Sequence, residues 1–160
     1  DKVNKLNKSV YSDGYIIGDF WSFKGESILF KNSNDYYVSI RFDGKITNKE
    51  NNTNDRGTDE LFFKTADCSD QALIDQSSLI PNQVFLNSLY NNSTNQYDRS
   101  LWYTGNLVSG NGILAKKVSW ENFNNCNSHI DSRDTLIEVY ENDVETTGIS
   151  TIEFTSIEVR

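Results

Sequence analysis

Residues 36–42, followed at once by Asp43-Gly44, constrain this chain more than any other stretch. In this run Tyr36, Val38, Ile40 and Phe42 alternate with Tyr37, Ser39 and Arg41, the period of two of a strand with one buried face. The Asp-Gly pair tolerates the positive φ of a tight hairpin turn, and Lys45-Ile46-Thr47 starts back. A polar loop over 48–59 then leads to another short apolar run, Leu61-Phe62-Phe63.

Strand-like segments recur at 15–23, 28–30, 84–90, 101–103, 113–120, 136–140 and 150–159, with Gly-rich or Asn-rich turns between them. This spacing predicts an all-β chain: a two-sheet β-sandwich of jelly-roll or Ig-like type, with about nine or ten short strands. The single helix expected is a short one over 71–75, capped by Asp67 or Ser69. Within 15–23, Tyr15, Ile17, Trp21 and Phe23 are assigned to one buried face and Gly18 to a bulge. Leu114, Val118 and Trp120 are assigned to another, so Trp21 and Trp120 read as structural. In the last segment Ile152 and Phe154 share one phase and Ile157 and Val159 the other, which predicts a slip near Thr155-Ser156. Residues 1–160 read as one domain, with 1–13 as an arm.

Composition narrows the functional classes. A formal charge of -8 and a pI near 4.6 argue against binding the phosphate backbone of a nucleic acid, which needs clustered Lys and Arg. No apolar stretch reaches the roughly 20 residues of a bilayer-spanning helix, so no membrane insertion is expected. Mean hydropathy is low at -0.60, yet aromatic residues make up 12%, which favours a folded core over disorder. The chain does not begin with Met, and the expectation is that a leader was removed or that it was cut from something longer. Its 2 cysteines, Cys68 and Cys126, form no CxxC motif. The favoured reading is one disulfide between them in a secreted or extracellular protein; the alternative is two buried thiols in a reducing compartment. Asn7, Asn51, Asn91 and Asn92 carry glycosylation sequons, which matter only in a eukaryotic secretory route.

No catalytic set stands out, and the expectation is a protein that is not an enzyme. His129, the 1 histidine of the chain, lies in a polar loop beside Ser128 and Asp131, an arrangement that positions no nucleophile. Glu138 and Glu153 are the carboxylates a glycoside-processing site would use, with Glu138 on the face of Leu136 and Tyr140. Asn52, Asn54, Asp55, Asp59 and Glu60 make an oxygen-rich loop that suits calcium, although Arg56 breaks an EF-hand register; no other cofactor and no other metal is expected. The stretch favoured for ligand binding is Trp102-Tyr103 with Asn106, Ser109 and Asn111. Indole and phenol rings stack on sugars or anchor interfaces, and amides supply directed hydrogen bonds. Adjacent strand residues point to opposite faces, so one of Trp102 and Tyr103 is core and the other lies at the surface.

The segment Lys116-Lys117-Val118-Ser119-Trp120-Glu121-Asn122 resembles a strand of the poxvirus secreted chemokine-binding proteins. That resemblance implies a β-sandwich that captures basic chemokines on an acidic sheet. It covers this segment alone, and that family carries several disulfides where this chain can form one.

The reading is therefore a non-catalytic extracellular binding module, adhesin-like or carbohydrate-binding, that recognises a glycan or surface protein through Trp102, Tyr103, Asn106 and Asn111 on end loops. The alternative is a secreted acidic inhibitor or decoy that captures a basic protein such as a chemokine or a toxin.

Overall fold

The computed structural model describes residues 7–55, 57–121, 123–128 and 135–160. In chain order the strands are β1 (Ser9–Ser12), β2 (Tyr15–Lys24), β3 (Ser27–Lys31), β4 (Tyr37–Arg41), β5 (Glu60–Phe63), β6 (Leu73–Asp75), β7 (Gln83–Asn91), β8 (Gln96–Ser109), β9 (Ala115–Val118), β10 (Asn127–Ser128), β11 (Thr135–Glu141) and β12 (Ile157–Val159). The one α-helix among the described residues, α1 (Val144–Thr147), follows β11, and a 3-10 turn covers Ser119–Glu121. The fold is all-β with one short helix, as the strand pattern predicts. The sheet differs from the expectation: the strands form a single 12-stranded sheet in the order β10-β9-β5-β6-β11-β8-β7-β4-β3-β2-β1-β12, rather than two sheets of nine or ten strands.

The central hairpin forms as its sequence dictates. Val38 and Ile40 are fully buried, and Gly44 takes a φ of 90°. The Arg41 N–H donates to the Lys45 carbonyl at 2.9 Å, and Ile40 bridges Ile46. Phe42, one residue beyond β4, turns out to solvent. From this hairpin the pairing returns on itself. Lys45 bridges Glu153, the chain from there leads into β12, β12 pairs with β1, and β1, β2, β3 and β4 pair in turn. The ring so formed encloses Val10, Phe20, Ile28, Phe30, Val38 and Ile40.

β7 joins this ring through a parallel contact with β4 and forms a long antiparallel ladder with β8. Along these two strands successive side chains enter different cores. Val84, Leu86 and Leu101 belong to the first, whereas Phe85 and Trp102 belong to a second, with Phe63, Ile74, Ile137 and Val139. The second core is bounded by β5, β6, β11 and β8, and the lead into β5 lies back against β7. There the Thr58 N–H donates to Asn87 Oδ1 at 2.9 Å. A Cβ at Gly57 would sit 1.3 Å from the Ser88 carbonyl oxygen, so the backbones approach at a distance that only glycine permits. A smaller cluster of Phe62, Leu73, Ile113 and Leu136 covers the outer side of β5, β6 and β11.

Several local expectations are corrected. Residues 71–75 are not helical: Leu73–Asp75 is β6, paired to β11 through Ile74 and Ile137. Leu73 and Ile74 bury on opposite sides of the sheet. A strand achieves this with adjacent residues, whereas so short an isolated helix is marginal. Asp67 instead closes a turn, accepting the Ser69 N–H at 3.1 Å, and hydrogen bonds from Ser69 hold its carboxyl below the ordinary carboxylate range. The arm assigned to 1–13 is in part a strand, because β1 is paired on both sides and Val10 is fully buried; residues 1–6 of it lie outside the described residues. Trp21 and Trp120 are exposed, at 43% and 55%, rather than core. Trp21 sits at a register shift between Phe20 and Ser22, which breaks the alternation that assigned it inward. Trp120 lies in the 3-10 turn beyond β9, and Leu114 precedes that strand, so neither follows its phase. The slip near Thr155-Ser156 is present, with Ser156 at a φ of 50° just before β12.

Candidate functional site

β8 is the strand on which the sequence-predicted binding residues lie, and it separates them. Trp102 points into the second core and is 7% exposed; its Nε1–H donates to Ser100 Oγ at 3.1 Å. Tyr103 points the opposite way and is half-buried against the first core. Two distinct surfaces result.

On the Trp102 side the second core opens. A hollow of about 360 Å³ is lined by Leu61, Ala72, Leu89, Trp102, Phe123, Val139 and Glu141. A second, of about 190 Å³, shares Leu89 and Phe123 with it and adds Tyr90, Asn91, Asp98, Ser100 and Ser119. The two adjoining hollows, taken together as one cleft, are lined by apolar side chains and by a few polar groups: the Glu141 carboxylate in the first, and Asn91, Asp98 and Ser100 in the second. Asn91 Nδ2 donates to Asp98 Oδ2 at 2.9 Å, which orients both groups at the rim. Phe123 is carried on the segment that the Cys68–Cys126 disulfide ties down across a separation of 58 residues. Leu89 and Phe123 carry no motif; only the tertiary path of the chain brings them to Trp102.

On the Tyr103 side the rings of Tyr36, Tyr103 and Tyr140 gather. Tyr103 stacks on Tyr140 with centroids 5.0 Å apart and meets Tyr36 edge-on at 5.5 Å. Glu138 joins them through Oε1, which accepts the Asn106 N–H at 2.9 Å and the Tyr140 hydroxyl at 3.4 Å. Gly105 makes the room, since a Cβ there would sit 2.6 Å from Glu138 Oε1. Burial lifts the Tyr140 hydroxyl above its ordinary 10.0, and the Glu138 charge adds to that; burial, then Tyr103, lifts Tyr36 likewise. Groups that hold their protons more tightly when folded contribute stability that is complete below the ordinary tyrosine value and is lost as pH rises through the raised one. Urea midpoints are therefore expected to fall as pH rises above about 10, with a shallower fall in Tyr140→Phe. Equal slopes for both proteins would contradict this placement of Tyr140.

The remaining candidates are dispersed. Asn106 reaches the tyrosine group through its backbone, and its side chain is exposed; Asn111 lies on an exposed turn, its N–H donating to Ser109 Oγ, in neither surface. In the oxygen-rich loop the Asn48 side-chain amide donates to Asn52 Oδ1 and to Asn54, while Asp55 pairs with Arg99 and Glu60 with Lys116. Among the described residues no cluster of His, Cys, Asp and Glu is grouped to hold a metal. Glu153 is exposed on the segment beside Lys45, on a different part of the sheet from Glu138. His129 and Arg56 lie outside the described residues. Among the described residues no helix is long and apolar enough to cross a membrane.

Compared with known proteins, the chain matches no family model, no curated protein and no solved structure.

Proposed function

We propose that this protein is a non-catalytic, secreted binding module that takes a glycan in the Trp102 cleft. The observation that carries the reading is the composition of that cleft: an indole and a phenyl ring among apolar side chains, with amide, hydroxyl and carboxylate groups in the same lining. A sugar ring has an apolar face that packs on aromatic carbon and an equatorial belt of hydroxyls that needs directed polar partners. The disulfide supports a secreted location, since such bonds persist in oxidising compartments. The site is a cleft on the face of β7, β8 and β11, in place of the end loops expected from the sequence.

The test is a glycan array and a panel of basic secreted proteins, each probed at low and high salt. Contacts to a neutral sugar respond weakly to ionic strength, whereas capture driven by the charge of -8 weakens steeply. Salt-resistant glycan binding is the expected result. Salt-sensitive capture of a basic protein with no glycan bound would overturn it in favour of an acidic decoy.

A further inference from the structure

Glu138 differs from three carboxylates that the fold places against a cation. Asp55 meets Arg99, Glu60 meets Lys116, and Glu26 meets Arg41. Glu138 is half-buried, and no lysine or arginine among the described residues pairs with it. Its Oε1 is occupied by the Asn106 N–H and the Tyr140 hydroxyl, but Oε2 takes no hydrogen bond from a described residue. Beside this carboxylate stand the rings of Tyr36, Tyr103 and Tyr140, whose π faces and hydroxyl oxygens are both favourable to positive charge. Glu138 Oε2 is not among the buried atoms left without a partner, so a cation arriving from solvent can reach it and make a charge-assisted hydrogen bond.

We propose that Glu138 with Tyr36, Tyr103 and Tyr140 forms a receptor for one organic cation, the guanidinium or ammonium at the tip of a basic side chain on a partner protein. The cation bonds Glu138 Oε2 and lies against the tyrosine rings, and the protein's negative charge draws basic partners toward the surface. A guanidinium suits the site better than an ammonium, because its plane can stack on a phenol ring while its N–H groups reach the carboxylate. This site lies on the opposite face of β8 from the Trp102 cleft, so it stands or falls independently of the glycan reading.

The backbone amide of Asn106 provides a local reporter, because it donates to Glu138 Oε1. The experiment titrates the full chain with a capped tri-arginine peptide, its tri-citrulline counterpart and spermine, following backbone amide shifts by NMR. Tri-arginine is expected to shift Asn106 in a saturable way and tri-citrulline to leave it unmoved. Glu138→Gln keeps an oxygen to accept both hydrogen bonds but removes the charge, and is expected to weaken binding at least tenfold. Glu153→Gln, which removes the same single negative charge at an exposed position, is expected to change it less than twofold. Tri-arginine binding tighter than spermine supports a protein side chain as the source; spermine binding tighter at Asn106 would overturn that source. No saturable Asn106 shift with either probe, or equal weakening by Glu138→Gln and Glu153→Gln, would overturn the site itself.

Discussion

Trp102→Ala is expected to lower the unfolding free energy by about 3–5 kcal/mol, the usual range for truncating a buried large aromatic. The indole is 7% exposed among Phe85, Ile137 and Val139, so its removal leaves a void in the second core. It also leaves the Ser100 hydroxyl without its indole donor. Tyr103→Ala removes a half-buried ring whose stacking partner Tyr140 is itself half-buried, and is expected to cost less than the Trp102 change. Urea unfolding of both variants checks the order. A loss below about 1 kcal/mol for Trp102→Ala would place that ring at the surface. Because the substitution damages the core, Trp102 cannot by itself report on ligand binding, and that task falls to residues at the edge of the cleft.

Opening the disulfide is the second large effect. Cross-linking Cys68 to Cys126 closes a loop across a separation of 58 residues. In the chain-entropy account a loop of that size is worth about 4 kcal/mol through restriction of the unfolded chain. For a domain of this length that corresponds to a fall in melting temperature of roughly 8–16 °C. The double variant Cys68→Ser, Cys126→Ser isolates the effect without leaving a reactive thiol. Since the tether also holds the segment bearing Phe123, glycan affinity is expected to fall at temperatures where the variant remains folded. A variant that melts with the wild type would show that the second core holds that segment unaided.

The strand pattern and the disulfide were legible in the sequence because each rests on local or pairwise chemistry. Alternation in 36–42 and the Asp43-Gly44 turn needed no tertiary information, and two cysteines admit a single pairing. The alternation around β11 also placed Glu138 and Tyr140 on one face. What the sequence could not carry is which strands are neighbours. Tyr140 stands opposite Tyr103 only because β11 pairs with β8, and Tyr36 joins them only because β4 lies beside β7. The same holds for the sheet itself: identical strands can pair as two sheets or as one that returns on itself through the short bridges at Ile46 and Glu153. Trp21 was misassigned for a different reason. A bulge places two residues opposite one, and the inward phase inferred on one side of it fails on the other.

The proposed position of the ligand is the cleft beside Trp102. It is tested most directly by screening wild type and Leu89→Arg side by side on one glycan array, with melting temperatures measured on the same samples. Leu89 is half-buried and lines both hollows, so an arginine there takes up space at the edge of each. Glycan binding by the wild type that disappears in a folded Leu89→Arg variant is the predicted result. A wild type that binds no glycan, or a folded variant that binds the same set unchanged, would contradict it.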